Sequence, residues 1–121
     1  MLMIKTCLAL SPTKANFAPL LFAGDLDQGF RKAHELGFDG VELNLRDSDQ
    51  LDQEALKSKL DTLGLQAISF GTGQSYFHDQ LSLANPDENV QLQVRERLKG
   101  HIRFASKLGS MVVLGSIRGE L

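Results

Sequence analysis

The 121 residues include one cysteine, Cys7, no tryptophan and three prolines. A lone cysteine excludes an internal disulfide, and with it a small secreted scaffold held by bridges; it fits a reducing cytoplasm. No apolar run is long enough to span a bilayer. The apolar start over residues 1–10 is interrupted by Lys5 and followed by no small-residue cleavage site, so it reads as a strand and not a signal peptide. Charge of one sign is also lacking: 13 Lys and Arg against 15 Asp and Glu leave a net charge of -2. A nucleic-acid binder normally carries a strong basic excess to displace counterions. The expected partner is therefore a small molecule, with neither nucleic acid nor membrane. What is present is a 42% hydrophobic share, enough for a buried core and hence for one globular domain over residues 1–121.

A junction recurs along the chain: Leu36-Gly37-Phe38, Leu63-Gly64-Leu65 and Leu108-Gly109-Ser110 each close an amphipathic stretch and precede a strand-like run. Glycine suits the left-handed position just past a helix end. Helix starts are marked at Asp25 with Gln28, at Asp52, and at Asn85-Pro86-Asp87-Glu88, where Asn85 can cap and Glu88 can complete a capping box. The apolar stripes are Leu26, Phe30, Ala33 and Leu36; Leu56, Leu60 and Leu63; and Val90, Val94, Leu98, Ile102, Ala105 and Leu108. Candidate strands span residues 4–10, 41–45, 66–70 and 111–114. Strand and helix thus alternate through four strands and three helices, which predicts an α/β fold with a parallel sheet. Right-handed crossovers put all helices on one side if the strands add in sequence, and such a sheet curls toward a barrel. Links from helix to strand are short, whereas residues 11–24 and 71–86 form long strand-to-helix links, so the working face is expected at the strands' C-terminal ends.

The second strand alternates. Val41, Leu43 and Leu45 point one way, Glu42 and Asn44 the other, although an inner parallel strand is normally apolar on both faces. Either Glu42 and Asn44 look into a barrel interior, where a desolvated carboxylate needs a cation or donor, or the strand is a half-wet edge. Gly71-Thr72-Gly73-Gln74 either lets backbone amides approach a substrate oxygen or is a simple tight turn. His78, beside Asp79, is an acid, base or ligand, or an exposed loop histidine. Arg118, between glycines after the fourth strand, either clamps a carboxylate or phosphate or is solvated. Arg95, Lys99, Arg103 and Lys107 read as a solvated stripe that complements the helix dipole. His34 and His101 flank apolar stripes and read as structural, Cys7 as a small buried residue, and no metal motif is visible.

The segments ELGFDGVELNLRD, ISFGTGQSYFHDQLSLANPDENV and ERLKGHIRFASKLGSMVVLGSIRG together resemble the N-terminal half of the sugar phosphate isomerase/epimerase family, which has the xylose-isomerase-like barrel. The resemblance covers nearly the whole chain. It implies a (β/α)8 TIM barrel that interconverts ketose and aldose, or epimerises beside a carbonyl, on a sugar or sugar phosphate. It also implies a divalent metal (Mn, Mg, Co or Zn) whose ligands, with the acid/base carboxylates, come mainly from later strands outside this chain. On that basis Glu42 is the candidate catalytic residue, and Asn44, Gln74, His78 and Arg118 are candidate substrate contacts. Related barrels that cut abasic DNA carry histidine ligands at the ends of the third and fourth strands, where this chain has Gly71 and Gly115, a departure that disfavours a nuclease. A full barrel takes about 250 residues, so the chain corresponds to roughly half of one. Three explanations follow: an incomplete chain, which is favoured; a half that closes with a second copy through its exposed edge strands; or a small open sheet with another role.

Overall fold

The computed structural model describes residues 3–14 and 20–120. Residues 15–19 of the first long link lie outside the described residues, as do the first two residues of the apolar start. The strands are β1 (Cys7–Leu10), β2 (Gly40–Asn44), β3 (Gln66–Gly71) and β4 (Met111–Val113). All pair in parallel, in the order β1-β2-β3-β4. Between them run α1 (Leu26–Glu35), α2 (Gln53–Leu63), α3 (Gly73–Asp79) and α4 (Glu88–Leu108). Single 3-10 turns occupy Ser48–Gln50 and Ser116–Arg118. This is the expected sequential half of a barrel, with one helix more than the three anticipated.

Local chemistry explains most of the ends. Asp25 accepts from the Gln28 amide at 3.0 Å and Asp52 from the Ala55 amide at 3.0 Å, each pairing an orphan N–H at a helix start. Gly64 and Gly109 stop α2 and α4 at φ of 65° and 66°, where a Cβ is disfavoured. At the start of α4 the expectation needs correcting. The cap is Asp87, which accepts from the amides of Asn89 and Val90, while Asn85 accepts from the Asp87 amide in the turn before it. A carboxylate there also meets the positive end of the helix dipole.

One apolar core lies between the sheet and α1, α2 and α4. Leu10, Val41, Leu43, Leu45, Phe70 and Phe104 are fully buried in it, with Phe30 and Ala33 from α1 and Leu56 and Leu60 from α2. The Phe70 and Phe104 rings meet edge to face at 5.2 Å. Two stripe residues stay exposed: Leu36 is 69% exposed because it lies past the last turn of α1, and Ile102 is 56% exposed. Val90, Val94 and Leu98, in the first half of α4, pack instead in a second, smaller cluster with Leu81 and Ile117. Ile102, Leu98, Val112 and Leu114 line a groove of about 410 Å³ along the free β4 side. Cys7 is exposed rather than buried. Leu8 and Leu10 take register beside Val41 and Leu43, so Cys7 and Ala9 turn to the opposite, uncovered face of an edge strand. The basic stripe on α4 is exposed at all four positions, as expected, with Arg103 and Lys107 also reaching Asp49 and Gln53 across the surface, each at 3.2 Å.

Candidate functional site

The face turned away from the helices carries the polar residues. Across it, Ala9, Glu42, Ser69 and Met111 form one register row, and Asn44, Gly71 and Val113 the next toward the C-terminal ends. The Glu42–Ser69 pairing exists because β3 holds one extra residue, Ile68, opposite the Val41/Glu42 step. That bulge brings the Ser69 hydroxyl onto the polar face, where it donates to Glu42 Oε2 at 3.3 Å. Asn44 Nδ2 donates to the Leu10 carbonyl at 3.4 Å, and its Oδ1 lies over Gly71 so closely that a Cβ there would collide with it. The same Cβ position is 3.6 Å from Glu42 Oε1. Glycine at position 71 therefore leaves the room into which the Asn44 amide folds, next to the Glu42 carboxylate.

Gln74 belongs to the same corner but lies beneath it. The side chain is 1% exposed, Nε2 donates to Ser11 Oγ at 3.1 Å, and Oε1 is buried with no hydrogen-bond partner among the described residues. His78 is exposed on α3, its Nε2 3.1 Å from the Lys14 carbonyl. Two bonds, from Gln74 and His78, thus tie α3 to the segment leaving β1. Arg118 stands apart: exposed, it donates from Nε to the Gly115 carbonyl at 3.2 Å. Its backbone is pinned by Leu83 and Ala84, whose amides donate to the carbonyls of Ile117 and Arg118. The structure therefore brings Glu42 and Asn44 together, joins Gln74 to them through the Leu10–Ser11 backbone, and leaves His78 and Arg118 outside that group. Among the described residues no three His, Cys, Asp or Glu side chains gather at one point. One carboxylate beside a hydroxyl and an amide does not fit a divalent metal, so these residues do not hold one by themselves.

Sequence reasoning missed a second polar assembly at the exit of β2. Arg46 forks onto Asp79 of α3, Arg97 of α4 donates to Asp79 Oδ2 at 2.7 Å, and Arg97 Nε lies 3.4 Å from Asp47. Arg46 and Arg97 hold the Asp79 carboxyl down at about 2, against the opposing effect of burial. The four charges line a cleft of about 510 Å³ with Pro12 and Thr13. A signal was present in the adjacent Arg46-Asp47 directly after an alternating strand, but their partners lie far away in sequence. Behind this assembly His101, fully buried, sits between two serine hydroxyls, 2.6 Å from Ser48 Oγ and 3.3 Å from Ser75 Oγ.

In a TIM barrel the working end is formed by the loops at the C-terminal ends of the strands, and here Asn44, Gly71 and the Arg46 assembly occupy that end. Residues 30–119 match the family model described as xylose isomerase-like TIM barrel. The chain belongs to that family. No curated protein matches the chain. Within the xylose isomerase-like TIM barrel family the sequential parallel order of β1 to β4 is that of the first half of the barrel, and the row carrying Glu42 lies on the face turned away from the helices, the side that is interior in a TIM barrel. No helix among the described residues is long and apolar enough to cross a membrane.

Proposed function

We propose that the chain is the N-terminal half of a sugar or sugar phosphate isomerase/epimerase, which moves a proton at the carbon next to a carbonyl. The carrying observation is the Glu42 carboxylate on the barrel-facing side of the sheet, held by Ser69 beside the Asn44 amide. In this reading Glu42 takes the proton, and Asn44 donates a hydrogen bond to a neighbouring substrate oxygen. The proton must be returned, to the neighbouring carbon in an isomerisation or to the opposite face of the same carbon in an epimerisation, and in this reading the groups for that step, with the divalent metal the resemblance implies, lie on the strands that complete the barrel. The partner is a small sugar and not nucleic acid, and the compartment is a reducing cytoplasm, in keeping with one unpaired cysteine.

The test is deuterium uptake from D2O into a panel of ketoses and ketose phosphates, followed by NMR. The 121-residue chain alone should exchange nothing. A chain completed to the full barrel by four further strand and helix units, referred to below as the extended chain, should exchange, and Glu42→Gln should slow it by about 10²- to 10⁴-fold. Equal exchange by the short and extended chains would overturn the half-barrel reading, and none from either would overturn the isomerase reading.

A second reading rests on the sheet edges. Ile4 before β1 is 87% exposed and Met111 on β4 is 66% exposed, with Val113 and Leu114 also exposed. Two copies related by a twofold along the barrel axis would pair β4 of each with β1 of the other, forming a binding module without turnover. Light scattering separates the two: a compact dimer supports closure by a second copy, and a cooperatively unfolding monomer rules it out.

A further inference from the structure

We infer that His101 is a positioning residue: fixed as the Nε2–H tautomer between Ser48 and Ser75, it locks the segment through which β2 leaves the sheet and so sets the orientation of Glu42 and Asn44. Its link to catalysis rests on the reading above; the tautomer and the lock do not.

The tautomer follows from where the serine protons go. Ser75 Oγ lies 2.7 Å from the Arg46 carbonyl, which can only accept, so the Ser75 hydroxyl proton is committed there. Toward His101 Nε2, Ser75 Oγ must then accept, which places the ring proton on Nε2. Nδ1 is left as an acceptor, and the Ser48 hydroxyl donates to it across 2.6 Å. One ordered chain results, from Ser48 through the imidazole and Ser75 to the Arg46 carbonyl. Arg97 Nη1 completes it by donating to the same carbonyl at 2.7 Å. The Arg46 carbonyl thus accepts from α3 and α4 together, and Ser48 is held two residues further on. Between these anchors and fully buried Leu43 and Leu45, the backbone bearing Glu42 and Asn44 has little freedom.

Charged groups face this histidine from every element packed on it. Arg97 lies one turn earlier on α4, Asp47 and Asp49 come from the segment after β2, Asp79 reaches in from α3 through Arg97, and Arg46 and Arg103 pair with Asp79 and Asp49. Burial first, and Arg97 second, push the imidazole from 6.5 down to about 4, outweighing the two aspartates that pull the other way. Protonation would put a second N–H against Ser48 Oγ and break the order of the chain.

The experiment is a long-range imidazole ¹H–¹⁵N NMR correlation on the folded 121-residue protein, with His34 and His78 as internal references. The expected result is an Nε2–H pattern for His101 at pH 7, unchanged down to about pH 5. Ser75→Ala should shift it toward Nδ1–H and move the backbone amides of residues 42–48 while the spectrum stays that of a folded protein; Ser48→Ala should move the same amides. An Nδ1–H or evenly mixed ring in the unmodified protein, titration near 6.5, or variants that leave residues 42–48 unmoved would each overturn the inference. Should a serine variant fail to fold, the tautomer and titration of the unmodified protein still decide it. Absence of deuterium uptake by the unmodified extended chain, with the tautomer as expected, would instead count against the catalytic reading alone.

Discussion

The two faces of β2 and its exit residue Leu45 are opposite in character. Val41, Leu43 and Leu45 are fully buried against α1, α2 and α4, while Glu42 and Asn44, the alternate residues of the same strand, stay partly open and are held by a hydroxyl and a carbonyl. The pleat separates the two tasks, because neighbours along a strand cannot share a face. Substitutions on the helix side should act on folding, and substitutions on the barrel side on chemistry.

The largest expected break is on the helix side. Phe70→Ala removes a fully buried ring and its edge contact with Phe104 and should cost about 3–5 kcal/mol, read as a lower urea midpoint. Next is the dependence on pH. Because His101 is held below its ordinary value of 6.5, at about 4, the unfolded chain binds the extra proton first. The stability it contributes is therefore full above about pH 6.5 and declines as pH falls through about 4, by on the order of 3 kcal/mol. His101→Gln should flatten that part of a stability profile between pH 7 and 4. A second decline, lower still, belongs to Asp79, whose contribution is present above the ordinary carboxylate range and lost as pH falls through about 2.

How much of this was legible beforehand follows the range of each interaction. Gly64, Gly109, Asp25 and Asp52 act on their own few neighbours, and the strands and three helices they bound could be read directly. The alternation of β2 was equally local. By contrast α3 has seven residues and too short a span for an apolar period. It is held by bonds from Gln74, Ser75, His78 and Asp79 to segments after β1 and β2, so it reads as a loop until the fold exists. His101 shows the same limit: its partners are 53 and 26 residues away, and its place on a helix flank shows only that it belongs to the structure. The Asp87 cap could have been found, since aspartate caps at least as well as asparagine. The bulge at Ile68, which turns Ser69 toward Glu42, could not, because it depends on the pairing register of two strands.

The sharpest test of the comparison is the smallest in stability. Gly71→Ala places a methyl where the Asn44 amide now lies, and Asn44 Oδ1 belongs to a side chain that can swing away with the loss of one 3.4 Å bond to Leu10. The cost should be about 1 kcal/mol, far below that of Phe70→Ala one position earlier. Glu42→Gln should cost less again, under about 1 kcal/mol, since the amide keeps an oxygen to accept from Ser69. If the polar face is there for chemistry, both variants should slow deuterium exchange in the extended chain out of proportion to these small losses. Denaturant midpoints and exchange rates measured on the same three variants would decide it. An exchange rate that simply tracks stability from Phe70→Ala to Glu42→Gln would mean that the alternation of β2 serves packing alone.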